Sequence, residues 1–337
     1  MISRRRFAKG MALTTTAAAL GWRPELVAAE PPPETTRIRL VKTPATCIAP
    51  QFVAEELLQL EGFTDVQYVR REGSPVIEIR KAIASGEADI NMNYAALYIM
   101  GLDQAEPVVI LAGVHSGCFE LFGTERVRAI RDLKGKTVAL AGLGTGSTQH
   151  IFLALMLAYV GLDPAKDVRW VTHPFAESMQ LLAEGKVDAF LGFAPEPQIL
   201  RARKIGHVVV NSAVDRPWSR YFCCVIGANR EFVRRYPVAT KRALRAILKA
   251  ADVCAAEPER AARWLVDRDL TPTYEAALQT MRELPYRKWR EFDPEDTVRF
   301  YALRLHEAGM IKASPQRIIA QSTDWRFLNE LKKELKG

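Results

Sequence analysis

The sequence predicts a two-lobed α/β protein, in which two βαβαβ units are joined by a double-crossover hinge and followed by C-terminal helices. Two observations support this fold class. The stretch "AIASGEADI" at 82–90 returns as "LLAEGKVDA" at 181–189, 99 residues later. Strand-like and helix-like periodicity alternate in both halves, whereas the chain after residue 225 shows helical periodicity. A duplicated α/β unit with an added helical segment explains both patterns.

The repeat covers three segments that keep one offset. In both copies a helix-like run ends at a glycine suited to a left-handed cap, and an aspartate then opens a strand. The segment 38–58 aligns with 137–157 at the same offset. The matched pairs include Gly86 with Gly185, Asp89 with Asp188, Thr46 with Thr145 and Gly62 with Gly161. Agreement in three segments predicts two related units.

Each unit is predicted to run strand, helix, strand, helix, strand. The predicted strands are 38–42, 65–69 and 88–92 in the first unit and 137–141, 167–171 and 187–191 in the second. The predicted helices are 48–60 and 75–85, then 147–160 and 174–184. Alternation of this length favours parallel sheets with helices on both faces. Ligands of such sheets bind beyond the carboxyl ends of the strands.

The remaining chain is predicted to be helical and to pack on the first lobe. The predicted helices are 229–256, 258–269, 272–283 and 293–309. The stretches 110–124 and 217–227 are the expected crossings between the lobes, and therefore the hinge. This divides the chain into a first lobe of 37–113 with 226–337 and a second lobe of 114–225.

The N-terminus predicts export. Residues 3–9 read S-R-R-R-F-A-K, which matches a twin-arginine signal, and a short apolar stretch and a small-residue cleavage site follow. We therefore assign 1–29 to a signal peptide and 30–36 to a linker, and expect a periplasmic location. The leader contributes half of the net charge of +8, so the remaining mild excess without a dense basic run predicts no nucleic-acid binding.

A glycine-rich turn lies between the fourth predicted strand and its helix. Gly142, Gly144 and Gly146 do not have the spacing of a dinucleotide fingerprint, and the following residues do not complete a P-loop. A helix that starts near Ser147 or Thr148 would present free N–H groups to an anion or a polar ligand. A simple capped turn is the alternative interpretation.

Five cysteines are scattered along the chain and match no zinc-binding spacing. They are Cys47, Cys118, Cys223, Cys224 and Cys254. We expect most of them to be buried and to act as small apolar side chains. A metal or redox site stays open as an alternative.

Several motifs give a specific resemblance. They are the leader, "AIASGEADI", "IRDLKGKTVAL" followed by "GLGTGSTQHIFL", "VGLDPAKDVRWV", "LLAEGKVDAFLG" and "ANREFVRRYP". With these motifs the chain resembles the periplasmic solute-binding proteins of ABC importers in the nitrate/sulfonate/taurine and thiamine-precursor group. The resemblance implies a type II two-lobed fold that closes on a small solute, docks on a permease with its ATPase, works as a monomer, and has no enzymatic activity, cofactor or metal.

Carried over by position, the resemblance places the solute between loops of the two lobes. The expected solute-binding residues are Thr46, Asn93, Tyr94, Thr145, Gly146, Ser147, Thr148, Phe193 and Glu196, with His115 and Trp218 at the crossings. Hydroxyl and N–H groups would bind an oxyanion, and the aromatic rings would contact an organic moiety. A Glu196 carboxylate in the cleft disfavours nitrate or sulfonate, unless it points away or pairs with Arg201 or Arg203. It favours a larger organic solute with an amine or ring N–H donor.

Two other functions stay open at this stage. The same superfamily resemblance includes iron-dependent pyrimidine-precursor synthases, whose cysteine-rich motif is only partly matched by Cys223 and Cys224. The second alternative is a ligand-binding module of a sensor system. The predicted export separates this chain from cytoplasmic biosynthesis and favours the importer.

Overall fold

A computed structural model describes residues 30–43, 45–70, 75–141 and 144–335, without the side chains of 75–77. The predicted signal peptide, Pro44 and Gly142 therefore lie outside the described residues. Residues 30–36 of the predicted linker have no regular secondary structure. Within the described part of the chain, no helix is long and apolar enough to cross a membrane.

Ten strands and fourteen α-helices are described. The strands are β1 Arg37–Val41, β2 Asp65–Val69, β3 Ile90–Tyr94, β4 Val108–Ser116, β5 Phe119–Gly123, β6 Thr137–Ala141, β7 Arg169–His173, β8 Ala189–Phe193, β9 His207–Asn211 and β10 Phe222–Asn229. The helices are α1 Ala49–Val53, α2 Glu55–Leu60, α3 Pro75–Ser85, α4 Ala95–Asp103, α5 Thr148–Tyr159, α6 Phe175–Ala183, α7 Glu196–Ala202, α8 Arg230–Arg235, α9 Pro237–Ala256, α10 Pro258–Val266, α11 Tyr274–Glu283, α12 Pro294–Glu307, α13 Pro315–Ser322 and α14 Arg326–Glu334.

The predicted element order is confirmed in both units, with ends that differ by a few residues, but the single helix predicted at 48–60 is wrong, because it divides at Ala54 into α1 and α2. The single helix predicted at 229–256 is wrong, because it divides at Tyr236 into α8 and α9. Pro237 has no N–H group and disfavours helical backbone in the residue before it, so a new helix begins there.

The strands form three sheets, in the orders β1-β2, β3-β10-β4 and β7-β6-β8-β5-β9. The prediction of purely parallel sheets is wrong. β1 and β2 are parallel, as are β6, β7 and β8, but β10 is antiparallel to β3 and β4, and β5 is antiparallel to β8 and β9. The two strands that run against their neighbours are β5 and β10. Each is the first strand after a crossing, where the chain enters the sheet from the opposite direction.

The duplicated units share a buried aspartate. In the first lobe the Asp89 carboxylate accepts a hydrogen bond from the Arg39 backbone N–H at 2.8 Å. In the second lobe Asp188 accepts one from the Thr137 backbone N–H at 2.9 Å. The aspartates are 99 residues apart but the donors only 98, so the predicted offset of 99 does not hold at the first strand of each unit. The equivalence of Thr46 and Thr145 stays a prediction.

The chain passes twice between the sheets. The first crossing is the short link between β4 and β5, where Gly117 and Cys118 both have positive φ, +77° and +115°. The second crossing runs from β9 to β10 and includes a 3₁₀ helix at Trp218–Arg220. These crossings agree with a two-lobed, double-crossover fold. The lobe boundaries at 113/114 and 225/226 stay predictions.

The C-terminal helices pack against helices from both halves of the repeat. α9 packs on α1 and α2, and α12 packs on α4. Tyr286 is fully buried beyond α11 and donates a hydrogen bond to the Cys47 carbonyl oxygen at 3.1 Å. α11 contacts α7 and α12 contacts α5, and both α5 and α7 pack on β8 of the five-stranded sheet. The assignment of the C-terminal segment to the first lobe alone stays a prediction.

Candidate functional site

A cavity of about 260 Å³ lies where the carboxyl ends of β1, β3, β6 and β8 converge. This position is the one expected for ligands of parallel α/β units. Its apolar and aromatic lining consists of Ala45, Ile48, Ile79, Met92, Tyr94, Phe119, Ala141, Phe175 and Phe193. Its polar lining consists of Thr43, Asn93, Thr148, Gln149 and Glu196, and four cysteines complete it. The cavity is slightly smaller than typical pockets of ~300–1,000 Å³, which suits a small solute.

Five predicted site residues line this cavity. Asn93 and Tyr94 end β3, and Phe193 ends β8. Thr148 begins α5, and Glu196 begins α7. The structure therefore brings together the residues that follow strands in both halves of the repeat.

The glycine turn contributes less than predicted. Ser147 is buried and caps α5 by accepting a hydrogen bond from the His150 N–H at 3.2 Å. Thr145 is exposed, and the Gly146 N–H donates to His150 Nδ1 at 3.2 Å. None of these three residues lines the cavity. Of the residues predicted in this turn, Thr148 alone lines it.

Three further predicted residues lie beside the cavity rather than in its wall. The Thr46 hydroxyl is hydrogen-bonded to the Thr271 hydroxyl at 2.9 Å. His115 is fully buried in β4 and packs edge-on against the Tyr286 ring. Trp218 packs on Phe152 and other rings and is 3 % exposed, so it fills the second crossing and does not line the cavity.

The carboxyl group of Glu196 is held in the cavity wall. Its Oε2 accepts a hydrogen bond from the Phe193 backbone N–H at 3.2 Å, and Gln149 also hydrogen-bonds to it. Burial outweighs these hydrogen bonds and raises the pKa of Glu196 to about 8. At neutral pH the group is therefore mainly a neutral acid that can donate a hydrogen bond. A neutral Glu196 does not repel an anionic solute, whereas the sequence alone predicts repulsion from its carboxylate.

No lysine or arginine is present among the described residues that line the cavity. Full negative charge in a solute would have to be compensated by N–H groups such as those at the start of α5. Because most of the lining is apolar, the cavity favours a solute with an apolar body and a few hydrogen-bonding groups.

The cysteines are the main site residues that the sequence interpretation missed. Cys47, Cys118, Cys223 and Cys224 all line the cavity and are buried. Adjacent strand residues normally point to opposite faces, but β10 has register shifts on both sides of Cys224. Such a bulge re-aims side chains, which explains why Cys223 and Cys224 reach one cavity.

The thiols form a compact group, which we call the cysteine cluster. The Sγ atoms of Cys118 and Cys223 are 2.6 Å apart, and those of Cys223 and Cys224 are 4.0 Å apart. Hydrogen bonds from the Cys118, Cys223 and Cys47 thiols lower the pKa of Cys224 well below its usual value. Burial raises the pKa of Cys118.

Arg201 does not pair with Glu196 as considered from the sequence. It forms ion pairs with Glu120 of β5 at 3.0 Å and with Glu283 of α11 at 2.6 Å, and Gln198 donates to Glu283 at 2.9 Å. These contacts join the five-stranded sheet and α7 to a C-terminal helix. We call these four residues, Glu120, Arg201, Gln198 and Glu283, the Arg201 network.

We expect Glu283→Gln to lower the free energy of unfolding by about 1 kcal/mol, because it weakens a partly buried ion pair but leaves Glu120 on Arg201. Urea unfolding followed by circular dichroism measures this change. Glu259→Gln is the control, since Glu259 forms an exposed ion pair with Arg282 at 2.6 Å within the helical segment. Equal effects of the two substitutions would contradict the expectation that the Arg201 network stabilises the fold more than an exposed ion pair does.

Comparison with known proteins gives the family. The model of the NMT1-like family matches residues 31–266. The nitrate/nitrite binding protein NrtA of Nostoc sp. is 23% identical over 244 residues, which cover 66% of this chain and 55% of that protein. The bicarbonate-binding protein CmpA of Synechococcus elongatus is 25% identical over 34% of this chain and 25% of its own length. The chain thus spans about half or less of these relatives.

Solved structures show the same fold. The periplasmic nitrate-binding protein NrtA from Synechocystis PCC 6803 has a TM-score of 0.71 at 17% identity, covering 91% of this chain and 90% of that one. The alkanesulfonate-binding protein SsuA from Xanthomonas axonopodis, bound to MOPS, has a TM-score of 0.67 at 16% identity, covering 88% and 100%. The predicted two-lobed periplasmic-binding-protein fold is confirmed. Since the family model matches well over half of the sequence, this chain belongs to the NMT1-like family.

Proposed function

We propose that this protein is the periplasmic substrate-binding component of an ABC importer. It captures a small organic solute between two closing lobes and delivers the solute to a permease with its ATPase. The observation that carries the proposal is the cavity at the converging carboxyl ends of β1, β3, β6 and β8, lined by both halves of the repeat. Relatives named as nitrate/nitrite- and bicarbonate-binding proteins support the same role.

The cavity favours a heterocyclic or weakly charged organic solute over nitrate. The lining is rich in apolar side chains, its described residues include no cation, and Glu196 is mainly neutral at pH 7. Asn93, Thr148 and the Glu196 acid group offer both donors and acceptors for a flat polar ring. A solute of the thiamine-pyrimidine-precursor type fits this chemistry better than a compact sulfonate does.

The proposal includes twin-arginine export, a monomeric protein and binding without covalent chemistry. The iron-dependent synthase is not proposed, because the comparison proteins named above are binding proteins. The sensor module is distinguished from the importer by its partner. Co-purification with a permease and ATPase supports import.

Isothermal titration against aminopyrimidines, sulfonates, nitrate and bicarbonate tests the binding function. We expect one solute class to bind in a 1:1 ratio, with aminopyrimidines favoured. Thr148→Val should weaken that binding about tenfold through loss of one hydrogen bond. Thr145→Val is the matched control, because Thr145 is exposed in the same turn and should leave affinity unchanged. Chemical turnover of a bound solute would contradict the proposal.

A further inference from the structure

The cysteine cluster has the geometry of a metal site. The Sγ atoms of Cys47, Cys118 and Cys224 all lie within 4.8 Å of one another. Thiolates bind Zn²⁺ at about 2.3 Å, so two sulfurs on one ion can be at most ~4.6 Å apart. Contraction of the triangle by less than about 1 Å would give all three sulfurs ordinary metal–sulfur distances.

The three thiols come from separate parts of the fold. Cys47 lies in the 3₁₀ helix Thr46–Ile48, Cys118 in the first crossing, and Cys224 in the bulged strand β10. Their separation in the sequence explains why they match no ligand-spacing template. The fold therefore assembles the triangle without requiring any short metal-binding motif.

Two observations indicate that this arrangement is more than apolar packing. Cys118 has φ +115°, a backbone conformation that is costly for a residue with a side chain and that occurs preferentially at functional sites. His115, the register partner of Cys224, is fully buried, and its Nε2 has no hydrogen-bond partner. A buried polar atom without a partner is costly unless something else satisfies it.

We propose that Cys47, Cys118 and Cys224 bind one thiophilic metal ion of closed d shell, Cu⁺ or Zn²⁺, in the cavity wall. Three sulfur ligands favour such soft ions over Mg²⁺, Ca²⁺ or Mn²⁺, which prefer oxygen. The site has three protein ligands and borders the cavity, which leaves a coordination position for a solute donor atom. Binding releases the thiol protons, and the incoming positive charge compensates the thiolates.

The test uses purified full-length protein that is kept reduced and anaerobic. Cu⁺ and Zn²⁺ are each supplied alone in competition with a chromophoric chelator, and X-ray absorption reports the ligands of the bound ion. We expect one ion per chain, bound by sulfur at about 2.3 Å. The absorption measurement needs no variant, so it is independent of any folding defect. Failure of both ions to bind, or coordination by nitrogen and oxygen alone, would overturn the proposal.

Single substitutions identify the ligands. Cys47→Ser, Cys118→Ser and Cys224→Ser should each weaken binding by about 100-fold or more, since each removes a thiolate. Cys254→Ser is the control, because Cys254 is buried in α9 outside the triangle. Unchanged binding in the three ligand variants, or loss of binding in Cys254→Ser, would overturn the assignment. Solute titration without metal tests the importer function separately.

Discussion

The free energy of unfolding is expected to fall between pH 5 and pH 9, and Glu196→Gln is expected to make this fall smaller by about 4 kcal/mol. Burial raises the pKa of this carboxyl from its ordinary value of 4.5 to about 8, so the folded chain holds a proton that the unfolded chain releases. The resulting stability is complete below about pH 4.5 and is lost as the pH rises through about 8. Glutamine keeps the shape but does not titrate.

Urea unfolding at a series of pH values measures this effect as the difference between the two proteins. Glu120, whose pKa is raised to about 7 mainly by burial, titrates in both and cancels from the difference. Glu275→Gln, at an exposed position of α11, is the control and should follow the original protein. If Glu196→Gln keeps the original pH dependence, Glu196 is not held as a neutral acid.

The state of Glu196 also affects the solute. Above about pH 8 the group becomes a carboxylate next to Phe193 and Gln149, and an anionic solute would be repelled. A neutral heterocycle with an N–H donor would instead keep or gain affinity. The pH dependence of binding thus distinguishes the two solute classes.

Phe152→Ala is expected to lower the free energy of unfolding by about 3–5 kcal/mol. The Phe152 ring is buried on α5 and contacts Phe119, Tyr94 and Trp218 at centroid distances of 4.7, 5.9 and 5.2 Å. Tyr94 belongs to the three-stranded sheet, Phe119 to the five-stranded sheet and Trp218 to the second crossing. The cavity left by alanine therefore cannot close by the movement of one element.

Thermal and urea unfolding measure the loss at Phe152. Tyr159→Ala is the matched control on the same helix, because Tyr159 contacts the same Trp218 ring at 5.5 Å but is 48 % exposed. We expect less than about 1 kcal/mol there, since little apolar area leaves water on folding. If both substitutions lower the free energy of unfolding equally, the special role of Phe152 between the three-stranded and five-stranded sheets is contradicted.

Much of the architecture could be predicted because it depends on local patterns. The period of apolar residues identifies the strands and helices of both repeat units, and the glycines and aspartates identify where they meet. The family resemblance assigned Asn93, Thr148, Phe193 and Glu196 to one site by position, and the fold brings them together because residues that follow parallel strands share an edge of the sheet. That rule also overestimated the glycine turn, whose side chains cap a helix.

The sequence by itself determined the duplicated α/β plan, the helical C-terminal segment and the strand ends that carry the site. Only the tertiary structure decided that Cys47, Cys118 and Cys224 meet, that strands next to the crossings are antiparallel, and that Glu196 is mainly neutral. The reason is physical: periodicity records the nearest neighbours along the chain. Contact between distant residues, a bulge in β10 and the loss of water around a carboxyl arise only when separate segments pack together.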